Sequence, residues 1–334
     1  MVHRALRHAT RQRPAESRAT WLPGPVKVVV AGGTGALGRR VCDDLAGRGH
    51  EVVVLTRQPS PGPHRQVGWD GVSAGDWYRE VEGSAVVNLA GALVDRRPTP
   101  AAVALLTSSR VEPTLALAAA GRVVGRLPVL VQASTAAIYG DAGEAALDES
   151  SPIAQGPPQM AGVATAWERA SAEVPAERTV VLRTSIVLDR DTPALDRLTG
   201  VVRWGLGGAI AGGQQWFSWI HVEDWLAVVR ASLGLQEPAW PGPALDGVLL
   251  ATAPHPVRNA ELMRTLRTTL HRPPAPPTPA PLVRLGALVL RTDPALALTG
   301  RRVLPERLLS GGFAFRYPRL GPALQDLLPG RQRR

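Results

Sequence analysis

Three hydroxyl side chains, Ser134, Thr135 and Tyr139, crowd the end of the apolar run Val129-Leu130-Val131-Gln132-Ala133-Ser134. Hydroxyls in such a position can exchange a proton with a substrate oxygen, provided a neighbour brings their acidity toward neutrality. A phenol without a cation beside it titrates near ~10, so Tyr139 alone is a poor acid or base at pH 7. The bland reading is that Ser134 and Thr135 merely close a strand and satisfy its backbone groups. A second stretch with chemical potential is Gln214-Gln215-Trp216-Phe217-Ser218-Trp219-Ile220-His221. There Trp216 and Trp219 could stack on a planar or sugar-like ligand beside Gln214, and His221 could titrate near neutrality. Tryptophans and lone histidines are more often core than ligand platform. The 7 histidines are scattered and the single cysteine, Cys42, has no companion, so no metal site is expected.

What must position these groups is visible upstream. The run Val26-Lys27-Val28-Val29-Val30-Ala31 stops in Gly32-Gly33-Thr34-Gly35-Ala36-Leu37-Gly38 and continues into Arg39-Arg40-Val41-Cys42-Asp43-Asp44-Leu45 at helical spacing. Strand, glycine turn and helix form the phosphate-binding unit of dinucleotide sites, because a pyrophosphate needs bare N–H groups at a positive helix end. After Gly47-Arg48-Gly49-His50, the stretch Glu51-Val52-Val53-Val54-Leu55-Thr56 supplies a second strand and completes a βαβ unit. An acidic residue usually ends that strand when the ribose of NAD is bound, whereas a basic one suits a 2′-phosphate. Here Thr56 and Arg57 stand at that end, which favours NADP(H) over NAD.

The alternation continues. Ser84–Leu89 reads as a strand closing in Ala90-Gly91, Pro100–Ala120 as a long helix, and Val129–Ser134 as a strand. Gln159–Val174 follows as a helix, Thr179–Arg183 as a strand. From Asp189 to Phe217 the pattern dissolves into glycine-rich sequence. A helix then opens at Ile220–Asp224 and runs to Leu235, a strand returns at Gly247–Ala251, and helices are expected at Asn259–Leu270 and Leu282–Leu290. The fold class is therefore α/β, a Rossmann-like doubly wound parallel sheet with a smaller, discontinuous C-terminal substrate lobe. Boundaries fall at 1–25 for a disordered basic tail, 26–190 and 219–252 for the dinucleotide domain, 191–218 and 253–328 for the substrate lobe, and 329–334 for a second basic tail. Ligands of such sheets sit beyond the carboxyl ends of the strands, so Gly32–Gly38, Leu89–Gly91 and Ser134–Gly140 should converge.

The 334 residues, 45% of them hydrophobic, suffice for a large core. The net charge of +10 is concentrated in the ends, where Arg4, Arg7, Arg11, Arg13 and Arg18 oppose only Glu16. Without interleaved aromatics these arginines do not make a nucleic-acid groove. No apolar run approaches a membrane span, no secretory signal is visible, and the lone cysteine suits a reducing cytoplasm. No nucleic-acid or membrane partner is expected, and either a monomer or a homodimer fits.

The motifs together resemble the extended short-chain dehydrogenase/reductase superfamily, and within it the epimerase-family subgroup related to nucleotide-sugar epimerases. The marks are Gly32–Gly38, Val87-Asn88-Leu89-Ala90-Gly91, Ser134–Asp141, Trp167-Glu168, Gly205–Gly208, Trp219–Asp224, Asn259–Glu261 and Arg302–Leu308, with Gly312–Pro318 like that subgroup's own C-terminal domain. The resemblance implies that Leu89, Ala90, Gly91, Arg110 and Val187 join the glycine turn, Thr56 and Arg57 around the cofactor. It implies a catalytic hydroxyl at Thr135 or Ser134. The superfamily also uses a Tyr-x-x-x-Lys step, whose lysine lowers the tyrosine pKa. Counted back from Trp167-Glu168, those positions hold Met160 and Ala164, and four residues after Tyr78, Tyr139 and Tyr317 stand Glu82, Gly143 and Gly321. The expected function is an NADP(H)-dependent oxidoreductase or epimerase-like enzyme on an unidentified small molecule. The alternative is a non-catalytic NADP(H)-binding sensor or scaffold.

Overall fold

The computed structural model describes residues 24–154, 158–190, 192–235 and 237–328. The ends expected to be disordered fall largely outside these residues. Valine-rich runs with no room for a polar face become strands covered on both sides, and a short polar strand, Arg65–Gly68, joins them at one edge. They are β1 (Lys27–Ala31), β2 (Glu51–Thr56), β3 (Arg65–Gly68), β4 (Ala85–Asn88), β5 (Leu130–Thr135), β6 (Thr179–Thr184) and β7 (Gly247–Ala251). They form one parallel sheet in the order β7-β6-β5-β4-β1-β2-β3. The edge strand β3, too short and polar to be recognised by pattern, was not expected.

Helices cover both faces. On one side α1 (Ala36–Gly47) and α5 (Val222–Leu233) seal a core containing Val28, Val30, Leu45, Trp225 and Val229. On the other, α2 (Pro100–Val124) packs Leu117 and Ala120 against Val29, Val53 and Leu55, and α3 (Val163–Ser171) packs along α2. Burial of each such Val or Leu contributes about 1.5–3 kcal/mol. Lys27 pairs with Glu80 at 2.8 Å, at the end of the sheet away from the glycine turn.

Two expectations fail locally. The Gln159–Val174 helix begins only at Val163, because Gln159 (ψ 129°) leaves helical geometry and Met160 takes φ +71°. The segment read as irregular between Asp189 and Phe217 holds α4 (Pro193–Arg203), with Pro193 in its first turn and Leu195, Thr199 and Val202 on its buried face. With α6 (Asn259–Thr269) and the helix Leu320–Leu327, α4 builds a second core around Leu188, Trp219, Met263 and Leu324. The C-terminal chain does not stay with that core: Leu308 and Phe313 pack into the first one, beside Trp240 and Leu245. Along the chain, α7 (Ala280–Leu290) lies between α6 and Leu308.

Candidate cofactor and active site

The turn after β1 leaves no space for side chains. Gly32 has φ +81°, and a Cβ on it would stand 2.8 Å from the Leu89 carbonyl. A Cβ on Gly33 would meet Val54 at 2.8 Å, and one on Gly38 would come within 2.2 Å of the Gly32 oxygen. The Gly35 N–H closes the turn onto the Gly32 oxygen at 3.0 Å and Gly35 caps α1, with no side-chain cap and no acidic residue in the first turn. The first-turn amides at Ala36, Leu37 and Gly38 are therefore left to an anion. Arg39 folds back so that its Nη1 donates to the exposed Thr34 carbonyl at 2.6 Å. Thr56 is buried and accepts from the Gln58 amide, while Arg57 beyond it is exposed. Because Ala31 pairs with Leu55, Arg57 flanks the glycine turn.

The neighbouring turn at Leu89–Gly91 is fixed from beneath. Buried Asn88 donates from Nδ2 to Thr114 and Gln132, both at 2.9 Å, and its Oδ1 accepts from the Ala90 amide at 3.2 Å. The Leu89 amide donates to the Ala31 oxygen, so the two turns abut. Arg110 is buried, donates to the Leu106 and Ala92 oxygens, and lies over Trp167. A Cβ on Gly91 would stand 3.0 Å from its Cζ, which makes Arg110 the floor of this turn. Burial pushes its pKa down to about 10, still charged at neutral pH.

At the end of β5, Ser134 Oγ donates to Glu168 Oε1 at 2.5 Å. The same carboxylate receives Arg183 Nε at 2.9 Å and Nη2 at 2.8 Å, a two-pronged buried pair. Arg183 Nη1 then donates to Tyr139 Oη at 2.8 Å, and Tyr139 donates to the Asp148 carbonyl at 2.8 Å. Burial opposes the Arg183 charge, but Glu168 and Tyr139 outweigh it and raise its pKa. Thr135 Oγ1 accepts from the Ala137 amide at 3.1 Å, capping the turn Ala136–Tyr139. The sequence offered Trp167-Glu168 only as a family mark; the partner Arg183 faces Ser134 across β5 and β6, a pairing that spacing along the chain does not reveal. A second tie missed from sequence is Arg40 in α1, which holds buried Asp189 with bonds of 2.7 and 2.8 Å.

Several expected site residues turn out to be built into the structure. Tyr139 is buried, its oxygen engaged as donor and acceptor, and burial raises its pKa, so it is a strut and no proton donor. Val187 points into the first core. Trp219 is fully buried, its indole N–H given to the His255 carbonyl. Trp216 carries Arg258 over its ring at 3.9 Å and Arg302 at 5.1 Å, so cations already occupy its face. Gln214 lines a cavity of about 530 Å³ together with Arg258 and Arg267.

His221 caps α5, its Nδ1 accepting from the Glu223 amide at 3.1 Å, and stacks on Tyr317 at 3.9 Å. Its Nε2 lies 3.3 Å from Asp326 but off hydrogen-bond geometry. Burial lowers its pKa to about 4 despite that carboxylate. An unfolded histidine titrates near ~6.5, so as pH falls the unfolded chain takes up the proton first. His221 should thus cost no stability above pH ~6.5 and up to about 3 kcal/mol as pH falls toward 4. Denaturant melts across that range should flatten in His221→Asn, which keeps a capping acceptor; an unchanged pH dependence would refute the assignment.

Residues 28–161 match the NAD dependent epimerase/dehydratase family, and residues 278–327 match a domain of unknown function, DUF1731. The bovine epimerase family protein SDR39U1 is 33% identical over 313 residues, spanning 91% of this chain and all of that protein. An epimerase family protein of Mycobacterium tuberculosis is 30% identical over 301 residues, spanning 89% of this chain and 96% of that protein. The crystal structure of human SDR39U1 with NADPH superposes with a TM-score of 0.78 at 32% identity, covering 90% of this chain and 99% of that one. With near-full-length relatives of this similarity and the same nucleotide-binding architecture, the chain belongs to the SDR39U1-type epimerase family of short-chain dehydrogenase/reductase proteins.

Proposed function

We propose that the protein binds NADP(H) and acts as an oxidoreductase or epimerase-like enzyme on a small molecule in the cytoplasm. The observation that carries the reading is the bare Gly32–Gly38 turn beside exposed Arg57, with no carboxylate ending β2. The NADPH held by the human relative supports the same choice. Arg57 is suited to clamp a 2′-phosphate. Once bound, the cofactor supplies or accepts a hydride. Around it, Ser134 already donates its hydroxyl hydrogen bond to Glu168 and so offers lone pairs to a ligand hydroxyl. Thr135 uses a lone pair on Ala137 and keeps its own proton for a ligand oxygen.

A second reading, a cofactor-binding sensor without turnover, is favoured by a separate observation. Met160 and buried Ala164 stand where the superfamily keeps tyrosine and lysine, and Tyr139 has no capacity left. Calorimetric titration should show NADPH binding at least about tenfold tighter than NADH, the discrimination expected of one charged hydrogen bond. Arg57→Glu should erase the difference. Equal affinities in the unaltered protein would reject the NADP reading. Nicotinamide absorbance followed over carbonyl compounds and nucleotide sugars separates enzyme from sensor: turnover lost in Ser134→Ala/Thr135→Val with NADPH affinity retained supports the enzyme, and silence throughout supports the sensor.

A further inference from the structure

Helix α7 is turned inside out. On an eleven-residue helix of this composition the apolar stripe normally faces the core, yet among its described side chains Ala287 is the buried one. Leu282, Leu285 and Val289, at i, i+3 and i+7, form one stripe that faces outward, Val289 with 74% of its surface open. The stripe does not end with the helix. Gly208 packs on the backbone of Pro276 and Pro277, and Ile210 bridges to Thr278, which brings the 204–208 turn to the start of α7. That turn displays Trp204, 86% exposed, and Leu206. At the other end, Arg97 donates to the Leu288 carbonyl and Asp95 is bound by both Thr292 and Arg197, so the loop carrying exposed Leu93 adjoins the end of α7. Exposed apolar side chains gathered on neighbouring segments in this way mark an interaction surface.

Arginine dominates the charge around the band, with Asp95 and Asp293 confined to its far end. Between Glu261 and Asp293 the chain carries Arg264, Arg267, Arg272, Arg284 and Arg291 and no acidic residue; between Asp196 and Glu223 it carries Arg197 and Arg203 and again none. A second copy of this face would set arginines against arginines. An apolar stripe with an exposed tryptophan at its end and arginines at its flanks matches the boundary between headgroups and acyl chains of an anionic bilayer. No helix among the described residues is long and apolar enough to cross a membrane, so the contact is one of surface.

We infer that the α7–Trp204 face docks the protein onto anionic lipid bilayers, laying the loop after Leu89–Gly91 against the headgroups. The full chain should co-sediment with vesicles of phosphatidylcholine in which half the lipid is phosphatidylglycerol, and not with phosphatidylcholine alone. Leu285→Glu/Val289→Glu should abolish co-sedimentation while the melting temperature stays unchanged, since both side chains are exposed. Arg284→Gln and Arg291→Gln should each weaken it roughly fivefold. Trp204→Ser should weaken it as well, and brominated lipid should quench tryptophan emission in the parent and less in that variant. Equal binding to both vesicle types, binding indifferent to Leu285→Glu/Val289→Glu, or no binding would overturn the inference. So would a dimer that those two changes dissociate in the absence of vesicle binding, which would assign the face to a second copy.

Discussion

Gly38→Ala should abolish NADPH binding and destabilise the fold by about 3 kcal/mol, the upper range for one methyl forced into a filled space. The added carbon would stand 2.2 Å from the Gly32 oxygen and 2.7 Å from Gly33 Cα, and both contacts are backbone that no rotamer change relieves. Relief requires α1 to lift from the turn, which takes the amides at Ala36 and Leu37 out of register with a pyrophosphate. Gly47→Ala is the matched control, because it lies in the same helix with no atom within 4 Å of the added carbon. It should melt at or above the parent temperature and bind NADPH normally. Thermal shift with and without NADPH reads both effects at once; a Gly38→Ala protein that behaves like Gly47→Ala would remove the close approach from the account.

Glu168→Leu carries the second large effect, an expected loss of about 3–5 kcal/mol, because it strands the Arg183 guanidinium without a counter-charge. Side-chain exposures of 8% for Arg183 and 15% for Glu168 leave little water to compensate. Arg183→Met should cost a similar amount by stranding the carboxylate. The double variant should recover most of either loss, since removing both charges also removes both desolvation penalties. Denaturation midpoints at constant slope measure this. Additive losses in the double variant would show that the two side chains stabilise the fold independently. The pair also bears on chemistry: Ser134 is oriented by Glu168, so any effect of Ser134→Ala on turnover must be weighed against the charge-assisted bond it removes, itself worth about 1.5–3 kcal/mol.

The parts of the fold that follow from local rules were legible. Valine runs specify buried parallel strands, and the glycines between β1 and α1 report backbone crowding directly, because no other residue fits where Gly32 and Gly38 stand. What failed was whatever depends on partners remote in the chain. Trp216 reads as an open stacking platform until Arg258, Arg302 and Glu144 are placed around it. His221 reads as a titrating ligand until Tyr317 and Asp326 close over it. Tyr139 reads as an available phenol until the parallel register sets Arg183 beside it. Helix α4 was hidden by the glycines that follow it, although Pro193 and the apolar spacing from Leu195 to Val202 were present. Side-chain type gives the menu of chemistry, whereas burial and remote pairing decide which items are spent on holding the chain together.

The path of the C-terminal segment has a mechanical meaning. The chain enters the second core at Leu188, returns to the first at Ile220, leaves again at Ala253, comes back at Leu308 and Phe313, and ends in the second core at Leu320–Leu327. Two of the hydrophobic interiors are thus laced with one thread, and Arg40 and Asp189 knot it at the first crossing. Neither of these two interiors can melt without pulling strands of the other, so heat or denaturant meets a single cooperative unit, and no single cut of the chain separates them.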